Sequence, residues 1–429
     1  MEVIALPPAK KSVYFEISPT EAGFTDQLMQ FDAFYKLGRS LGYTYIHKKI
    51  YSERSSFEDT PYLGFVYRNK LFRRFHRKLI RRVLRIFAFD VYSFLGFNEY
   101  LQSLGKHRLL LKAGKLDICI GKDTIQKEGI SCFEDLHNYV RRKVERHNKR
   151  NSGLLVTLRL GNRPGDRGFF SLVYRKFPEL PDNLSLYQAY KNKRKNRPWR
   201  SQYKKGKLRV LVHMRQGDTA LLKTPWDTYI PLDRLIKQAT ELNSIECTGT
   251  NHINPDDYVQ FVKNVFVNFS PDEYSVVFAS DGFGRAFQLL MAKIKEFNYS
   301  QEQINALNEF RKTYDRQEFE KCNSIPNSVV SVGESTGNLK DLIHGALTAD
   351  IIICGTQQRM MHKLISFFYD TNNPKIIISL YKNKMRYDHE QQLPLSQNKA
   401  RLVDADLLDY DPQVVTKAIQ QNLSLQMPD

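Results

Sequence analysis

Three side chains able to bind an anion or move a proton lie on and just after one apolar strand pattern. The stretch VLVHMRQGDTALL, residues 210–222, contains His213, Arg215 and Asp218. An arginine fork donates bidentate, permanently charged hydrogen bonds, a geometry that suits a pyrophosphate. Asp218 would orient that guanidinium or accept a hydrogen bond from a substrate hydroxyl. The structural alternative is an Arg–Asp ion pair that holds the loop, with His213 packed in the core.

Three other strand patterns also lead into residues that suit a phosphate, a sugar or a base. A glycine lets the backbone approach a ligand, and a helix N-terminus offers free N–H groups to an anion. A carboxylate at such a place accepts two hydrogen bonds from a guanine edge or from a ribose diol. An ordinary helix N-cap is the alternative in each case. The stretches are Gly23-Phe24, Ser280-Asp281 and Gly355-Thr356-Gln357.

The elements that must position these residues alternate between strand and helix. KSVYFEIS and YTYIHK are strand patterns separated by a helical pattern that stops at Gly42, and KLDICIG and LLVTLRLG are further strand candidates. After residue 207 the alternation restarts with LRVLVHM, YSVVFASD, SVVSVGES, DIIICGT and KIIISLY. Apolar, β-branched strands joined by helices predict parallel sheets covered on both faces. We therefore predict an α/β protein of two Rossmann-like domains that face each other across a cleft.

The predicted domain boundaries follow from the point where the alternation restarts. Residues 1–207 form an N-terminal domain with a basic helical segment and a basic linker, residues 208–385 a C-terminal domain, and residues 386–429 an extension. A chain of 429 residues is long enough for two cores. Ligands of open α/β sheets bind beyond the carboxyl ends of the strands, where the polar stretches described above lie.

The net charge of +19 is concentrated in two short segments. Residues 68–86 and residues 191–207 each carry nine Lys or Arg and no acid, so together they account for +18. The first segment has apolar residues at helical spacing, which suits either a helix on an anionic membrane or a domain helix with a solvated face. The second suits either a solvated linker or a nucleic-acid contact through Trp199 and Tyr203.

Five scattered cysteines without CxxC spacing argue against a disulfide framework or a zinc site and favour a reducing compartment. No run reaches the roughly 18 apolar residues of a membrane span, and the first residues lack a signal-peptide core. We expect a cytoplasmic protein, with membrane association as a further possibility. A Golgi enzyme cut from its anchor is the alternative.

The motifs taken together resemble the GT-B type GDP-fucose-dependent fucosyltransferases. That group includes the core α1,6-fucosyltransferase, the bacterial nodulation fucosyltransferase and the protein O-fucosyltransferases. The segment 213–218, HMRQGD, resembles the family's H-x-R-x-[GT]-D motif. The other resembling stretches are Gly23-Phe24-Thr25-Asp26-Gln27, Ser280-Asp281, Asp341-Leu342, Ala349-Asp350 and Gly355-Thr356. Much of residues 45–205 resembles nothing in the family.

The resemblance implies an inverting, metal-independent transfer of fucose from GDP-fucose to a saccharide, glycoconjugate or glycolipid acceptor, with no cofactor. Arg215 would grip the β-phosphate, while His213 and Asp281 would bind guanine. Thr356, Gln357 and the Gly23–Phe24 loop would contact phosphate or sugar. The N-terminal domain would face the acceptor, the C-terminal domain would bind the nucleotide sugar, and no nucleic acid is expected.

The sequence departs from the family pattern in two places that matter for chemistry. Relatives usually have consecutive serines where this chain has Gln357 and Gln358, which affects the sugar side of the donor site. The glutamate that core-type enzymes place after the H-x-R motif is missing. The general base is therefore open, and the candidates are Asp218, Glu21, Asp26 and Asp227.

Three alternatives stay open. The chain could use another nucleotide sugar on the same fold, because the sugar-side motif departs most. It could be a nucleic-acid-binding α/β protein that uses its basic segments. It could also bind the donor without turnover, because no base is assigned.

Overall fold

The computed structural model describes most of the predicted strands and part of the helices between them. The described residues are 13–18, 24–46, 94–95, 114–148, 153–161, 186–205, 207–214, 253–280, 300–302, 304–305, 309, 319–332, 336–355, 375–382 and 400–424. They fall into two compact units, one that ends at Pro198 and one that starts at Trp199. The basic segment 68–86 lies outside the described residues, so its proposed helix and membrane contact stay predictions.

The first unit contains a four-stranded parallel sheet of order β2-β1-β4-β3. Its elements are β1 (Val13–Ser18), α1 (Phe24–Ser40), β2 (Thr44–Tyr45), β3 (Gly114–Ile120), α2 (Lys122–Glu128), α3 (Phe133–His147), β4 (Leu154–Leu160) and α4 (Leu186–Asn196). Helix α3 begins with a capping box in which the Asp135 carboxylate accepts from the Cys132 N–H at 3.3 Å, and the same carboxylate accepts from the Ser131 hydroxyl at 2.6 Å. These hydrogen bonds lower the pKa of Asp135 to about 2.

Aromatic side chains join α1 to one face of this sheet. The Phe15 ring is fully buried and lies 6.3 Å from the Tyr35 ring and 5.3 Å from the Tyr45 ring. A side-chain carbon at Gly38 would stand 2.5 Å from the Phe15 ring, so only glycine allows this approach of helix and strand. The helix ends as the sequence predicts, with Gly42 at φ 73°.

The second unit contains a six-stranded parallel sheet of order β10-β9-β8-β5-β6-β7. Its elements are β5 (Leu208–Met214), α5 (Pro255–Val265), β6 (Tyr274–Ser280), a 3-10 turn (Lys321–Ser324), β7 (Ser328–Val332), α6 (Thr336–Thr348), β8 (Ile351–Gly355), β9 (Lys375–Tyr381), β10 (Ala400–Asp406) and α7 (Pro412–Ser424). Renumbered within the unit, the order is 3-2-1-4-5-6, that of a doubly wound sheet.

Helices lie on both faces of the second sheet. Helices α5 and α7 share a buried cluster with Val210, Val212 and Met214 of β5. Helix α6 lies on the opposite face, where Gly345 approaches Leu211 and the Tyr203 hydroxyl donates to the Gly345 carbonyl at 3.0 Å. Connections between parallel strands are right-handed. The chain crosses the sheet in one direction from β5 to β6 and in the other direction from β7 to β8, so the helices of these two connections lie on opposite faces. The predicted α/β class with parallel sheets is confirmed.

Two segments differ from the sequence-based interpretation. Residues 400–424, treated there as an extension, supply β10, the edge strand of the second sheet, and α7, which packs on its core. In the basic run 191–207, the expected solvated linker is instead ordered structure. Helix α4 covers its first part, and Tyr203 is buried beside α6 in its second part. The aliphatic stems of lysine and arginine allow such a run to pack while its charges reach partners.

Candidate functional site

The carboxyl ends of β5 and β8 mark the point where the second sheet changes direction. From β5 the chain proceeds to β6 on one side, and from β8 it proceeds to β9 on the other. The two strands are neighbours, and His213 pairs with Cys354 in their ladder. Loops that leave such a pair in opposite directions open a crevice, where doubly wound proteins bind their ligands.

A row of polar or small side chains crosses the sheet one or two positions before the strand ends. Paired residues of a parallel ladder point to the same face, so the row can be read from the strand register. His213 of β5 lies near its centre, on the α6 face. From β10 to β7 the row reads Asp404, Ser379, Cys354, His213, Ala279 and Ser331, and we call it the polar row.

The two rows next to the polar row on its amino-terminal side are apolar. Two residues closer to the amino ends, the same face carries Ile377, Ile352, Leu211, Val277 and Val329. On the opposite face the row between these two carries Val403, Ile378, Ile353, Val212, Phe278 and Val330. A parallel sheet covered on both faces normally consists of such residues throughout. Toward the carboxyl ends of the strands the α6 face therefore changes from apolar to polar side chains, and Ser280 is a single polar residue at the same end of the opposite face.

The centre of the polar row is buried, whereas its two edges are half-exposed. His213 is 5% exposed and Cys354 and Ser379 are fully buried, but Asp404 and Ser331 are only partly covered. Burial raises the pKa of the Cys354 thiol to about 12, so this side chain is an uncharged thiol at neutral pH. Hydrogen bonds made in so dry a setting are stronger than they would be in water.

The structure describes only some of the predicted site residues. His213 and Gly355 lie at the two strands of the switch point, as the sequence analysis expects. Ser280 pairs with Met214 and so belongs to the α5 face of the sheet, opposite the polar row. Phe24 begins α1 in the first unit, and its side chain is not described. Gly23, Arg215, Asp218, Asp281, Thr356 and Gln357, with the base candidates Glu21 and Asp227, lie outside the described residues.

Asp350, one of the residues that carry the family resemblance, has a structural role at the amino end of β8. Its carboxylate accepts hydrogen bonds from the backbone N–H and the guanidinium of Arg209, at 2.8 and 3.0 Å. Asp350 is four residues before Cys354, which along a strand is about 13 Å from the polar row. It joins the starts of β5 and β8 and is remote from the switch point.

Asp341 likewise anchors the chain beside α6. It is 4% exposed, accepts a hydrogen bond from the Trp199 indole at 2.8 Å, and accepts another from Arg200 at 3.1 Å. Lys207 binds Asp272 at 2.9 Å. These cations of the basic run therefore have protein partners, which weakens the interpretation of the run as a nucleic-acid surface.

The first sheet carries a second polar surface, on the face opposite Phe15. There the Thr157 hydroxyl donates to the Glu16 carboxylate at 3.0 Å, and Arg159 Nε donates to both oxygens of Asp117 at 2.8 and 2.9 Å. All four side chains are partly or fully exposed. This face offers hydroxyl, carboxylate and guanidinium groups to a polar ligand.

Comparison with known protein families and curated proteins does not indicate a function, so the geometry is the main guide. The sequence matches no protein-family model, and a search of curated proteins found no significant match. Among the described residues, no group of three or more His, Cys, Asp or Glu is arranged to hold a metal ion. No helix in the same ranges has both the length and the apolar character needed to cross a bilayer.

We predict that Asp350→Ala lowers the stability of the protein without changing ligand affinity at the switch point between β5 and β8. Loss of the carboxylate removes the hydrogen bonds that the backbone N–H and the guanidinium of Arg209 donate to it, which costs about 2–3 kcal/mol. Urea unfolding should show this loss, while folded protein keeps its ligand affinity. Asp272→Ala is the matched control, since that carboxylate is 92% exposed and its ion pair with Lys207 is screened. A variant of full stability that has lost ligand binding would place Asp350 in the site instead.

We predict that Cys354 resists alkylation while the protein is folded. Its thiol is buried and protonated, and the thiolate is the reactive form. Iodoacetamide at pH 8 followed by peptide mass mapping should modify Cys354 only after unfolding in urea. Cys119 and Cys132, which are partly exposed, serve as the internal reference for native labelling. Rapid modification of Cys354 in native protein would contradict the buried position of the row.

Proposed function

We propose that this protein is an inverting, metal-independent glycosyltransferase that transfers fucose from GDP-fucose to a saccharide or glycoconjugate acceptor. The observation that supports it is the polar row at the carboxyl ends of β5 and β8, next to rows of apolar side chains in the middle of the sheet. A nucleotide is the kind of ligand that the switch point of a doubly wound sheet accommodates. In this proposal the second unit binds the donor and the first unit faces the acceptor, as in a GT-B enzyme.

Arg215 holds the diphosphate in this account. It follows Met214, the last residue of β5, directly in the sequence. A guanidinium remains charged at every physiological pH and binds two phosphate oxygens at once. Its charge offsets the negative charge that grows on the leaving GDP as the fucosyl–phosphate bond breaks, which lowers the barrier.

The guanosine part of the donor lies toward β6 and the sugar part toward β8. Asp281 follows directly after β6 and presents a carboxylate to the two parallel N–H donors of guanine, with His213 as a second partner. Strand β8 ends at Gly355, and Thr356 and Gln357 follow it in the sequence. Backbone N–H groups and a hydroxyl at this position suit phosphate and sugar.

Transfer proceeds in one displacement. The acceptor hydroxyl oxygen forms a bond to C1 of fucose from the face opposite GDP, and the C1–O bond to the β-phosphate breaks with its electron pair. A carboxylate takes the hydroxyl proton, and Asp218 leads the candidates, ahead of Glu21, Asp26 and Asp227. The polar face around Glu16 and Arg159 in the first unit supports a hydroxyl-rich acceptor, because its groups both donate and accept hydrogen bonds.

Thermal unfolding with different ligands tests this function. We expect GDP to raise the unfolding midpoint in a concentration-dependent way, UDP to raise it little, and a single-stranded oligonucleotide not at all. Oligonucleotide binding with a steep salt dependence and no effect of GDP would refute the proposal and favour the nucleic-acid alternative. Stabilisation by UDP alone would point to a different nucleotide sugar.

Arg215→Ala tests the role of the arginine. Loss of a charge-assisted hydrogen-bonding group should weaken GDP binding about ten- to a hundredfold and abolish turnover of GDP-fucose. Arg200→Ala is the control, because this arginine is 79% exposed and bound to Asp341. Circular dichroism checks that both variants fold. Wild-type protein that binds GDP-fucose but never releases GDP from it would be a donor-binding protein without catalysis.

A further inference from the structure

The sheet of the first unit has one apolar face and one polar face. The side chains on the side of Phe15 are apolar and buried, and Ile17, Ile118 and Leu158 are at most 3% exposed. The alternate residues of β1, β3 and β4 form the opposite face, where six side chains are half-exposed or fully exposed. We call it the polar face, and it consists of Glu16, Ser18, Asp117, Cys119, Thr157 and Arg159.

The strand order explains why α1 and α3 leave the polar face open. The chain passes from β1 to β2 through α1 and from β3 to β4 through α3, and both steps run in the same direction along the order β2-β1-β4-β3. Because such connections are right-handed, both helices lie on one face of the sheet. That face is the apolar one, where Gly38 of α1 approaches Phe15. Parallel sheets are normally covered on both faces, so a polar, half-exposed face suits a polar ligand.

Arg159 lies near the carboxyl end of the polar face and uses only part of its guanidinium. Its Nε donates to both oxygens of Asp117, at 2.8 and 2.9 Å. Within the part of the chain that the structure describes, neither Nη atom donates to a protein group. The side chain is 37% exposed, so four of its five N–H donors can reach a ligand. Two parallel N–H groups match the two oxygens of a carboxylate.

Hydroxyl groups lie close to this guanidinium. In the strand register Arg159 pairs with Ser18 on one side and with Cys119 on the other, each about 4.8 Å away. Thr157 lies two residues before Arg159 on the same face, and its hydroxyl donates to the Glu16 carboxylate at 3.0 Å. Hydroxyl groups both donate and accept hydrogen bonds, as the hydroxyls of a sugar do. The polar face therefore combines one anion-binding group with groups that suit a sugar ring.

We propose that the polar face binds an acidic saccharide whose carboxylate is held by Arg159. In naming the acceptor class, this inference rests on the proposed function, whereas the binding itself needs no donor. The Nη atoms donate two charge-assisted hydrogen bonds to the carboxylate oxygens. The hydroxyls of Ser18 and Thr157 and the carboxylate of Asp117 contact the hydroxyls of the same sugar or of its neighbour.

The charges of the polar face favour a carboxylate over a phosphate. Lys115 is exposed on this face two residues before Asp117, so two cations and the two acids Asp117 and Glu16 balance each other. A phosphate monoester carries close to two negative charges at neutral pH, and the two acids repel it more than a carboxylate with one. The planar carboxylate also needs no more than the one guanidinium.

A glycan array probed with wild-type protein and Arg159→Gln tests the inference. The array carries neutral glycans, glycans with uronic or sialic acids, phosphorylated glycans, and a duplicate acidic set with methyl-esterified carboxyl groups. We expect the wild type to bind acidic glycans and to lose that binding on esterification. Titration calorimetry with the best acidic glycan should show an affinity about ten- to a hundredfold lower in Arg159→Gln, as for lost hydrogen bonds to a charged group.

Two further variants separate the paired donors from charge alone. Arg159→Lys keeps the positive charge but loses the two parallel N–H groups, so its affinity should also be at least about tenfold lower. Arg142→Gln removes one positive charge from an exposed position of α3, on the other side of the sheet, and should stay within twofold of the wild type. Since the ion pair with Asp117 is exposed, the Arg159 variants should unfold at nearly the wild-type temperature.

The other outcomes separate this inference from the proposed function. If the wild type binds no acidic glycan, binds acids and esters equally, or prefers phosphorylated glycans, the inference is overturned and the donor site is unaffected. Unchanged affinity in Arg159→Gln would refute the role of Arg159. If the wild type binds acidic glycans but neither GDP nor GDP-fucose, the proposed function fails while the saccharide site stands. The esterified set tests the carboxylate on wild-type protein alone, should a variant not fold.

Discussion

A parallel sheet that is covered by helices on both faces has no place for polar side chains unless they have a partner. Polar groups buried among isoleucine, leucine and valine lose their hydration and must recover it through hydrogen bonds. In the second sheet polar side chains are concentrated in one row at the carboxyl end of the α6 face. There an aspartate, two serines, a cysteine and a histidine cross strands that are otherwise apolar. The remaining features of the site follow from the position of that row.

The strand order places the polar row where a doubly wound sheet is expected to bind a ligand. Its centre lies at β5 and β8, the switch point from which the sheet continues to β6 on one side and to β9 on the other, and doubly wound proteins bind ligands at such a point. Structural interactions are kept at the other end of the same strands, where Asp350 and Arg209 join β5 to β8 and Lys375 donates to the Leu347 carbonyl at the end of α6. In the proposed function, stability at the amino ends and ligand binding at the carboxyl ends are thereby separated by the length of a strand.

Much of the fold could be predicted from the sequence because its signals are local. Apolar, β-branched runs identify strands such as β8 and β9, and Gly42 marks the end of α1. Strand β10 was not predicted, because ARLVDAD alternates charged and apolar residues as an edge strand does, without a continuous apolar run. Helix α5 was not predicted either, although Asn254 and Pro255 form its N-terminal cap.

The site could be predicted only where it follows a strand end in the sequence. His213 was proposed on this basis, whereas Ser379 and Asp404 join the row of Cys354 only through the register of three strands that are distant in sequence. Register also decides which face a residue occupies, since a shift by one position moves it to the other side. Ser280 was predicted, like His213, from its position at the end of a strand, and the register assigns it to the opposite face. The role of Asp350 likewise depends on its pairing with Arg209, which no local pattern indicates.

The position of GDP in a crystal structure of its complex with this protein tests the central claim most directly. The account predicts that the diphosphate lies beyond the carboxyl ends of β5 and β8, against the residues that follow Met214 and Gly355, with the β-phosphate directed toward β9. GDP bound at the amino ends of these strands, or on a surface away from the second sheet, would contradict it.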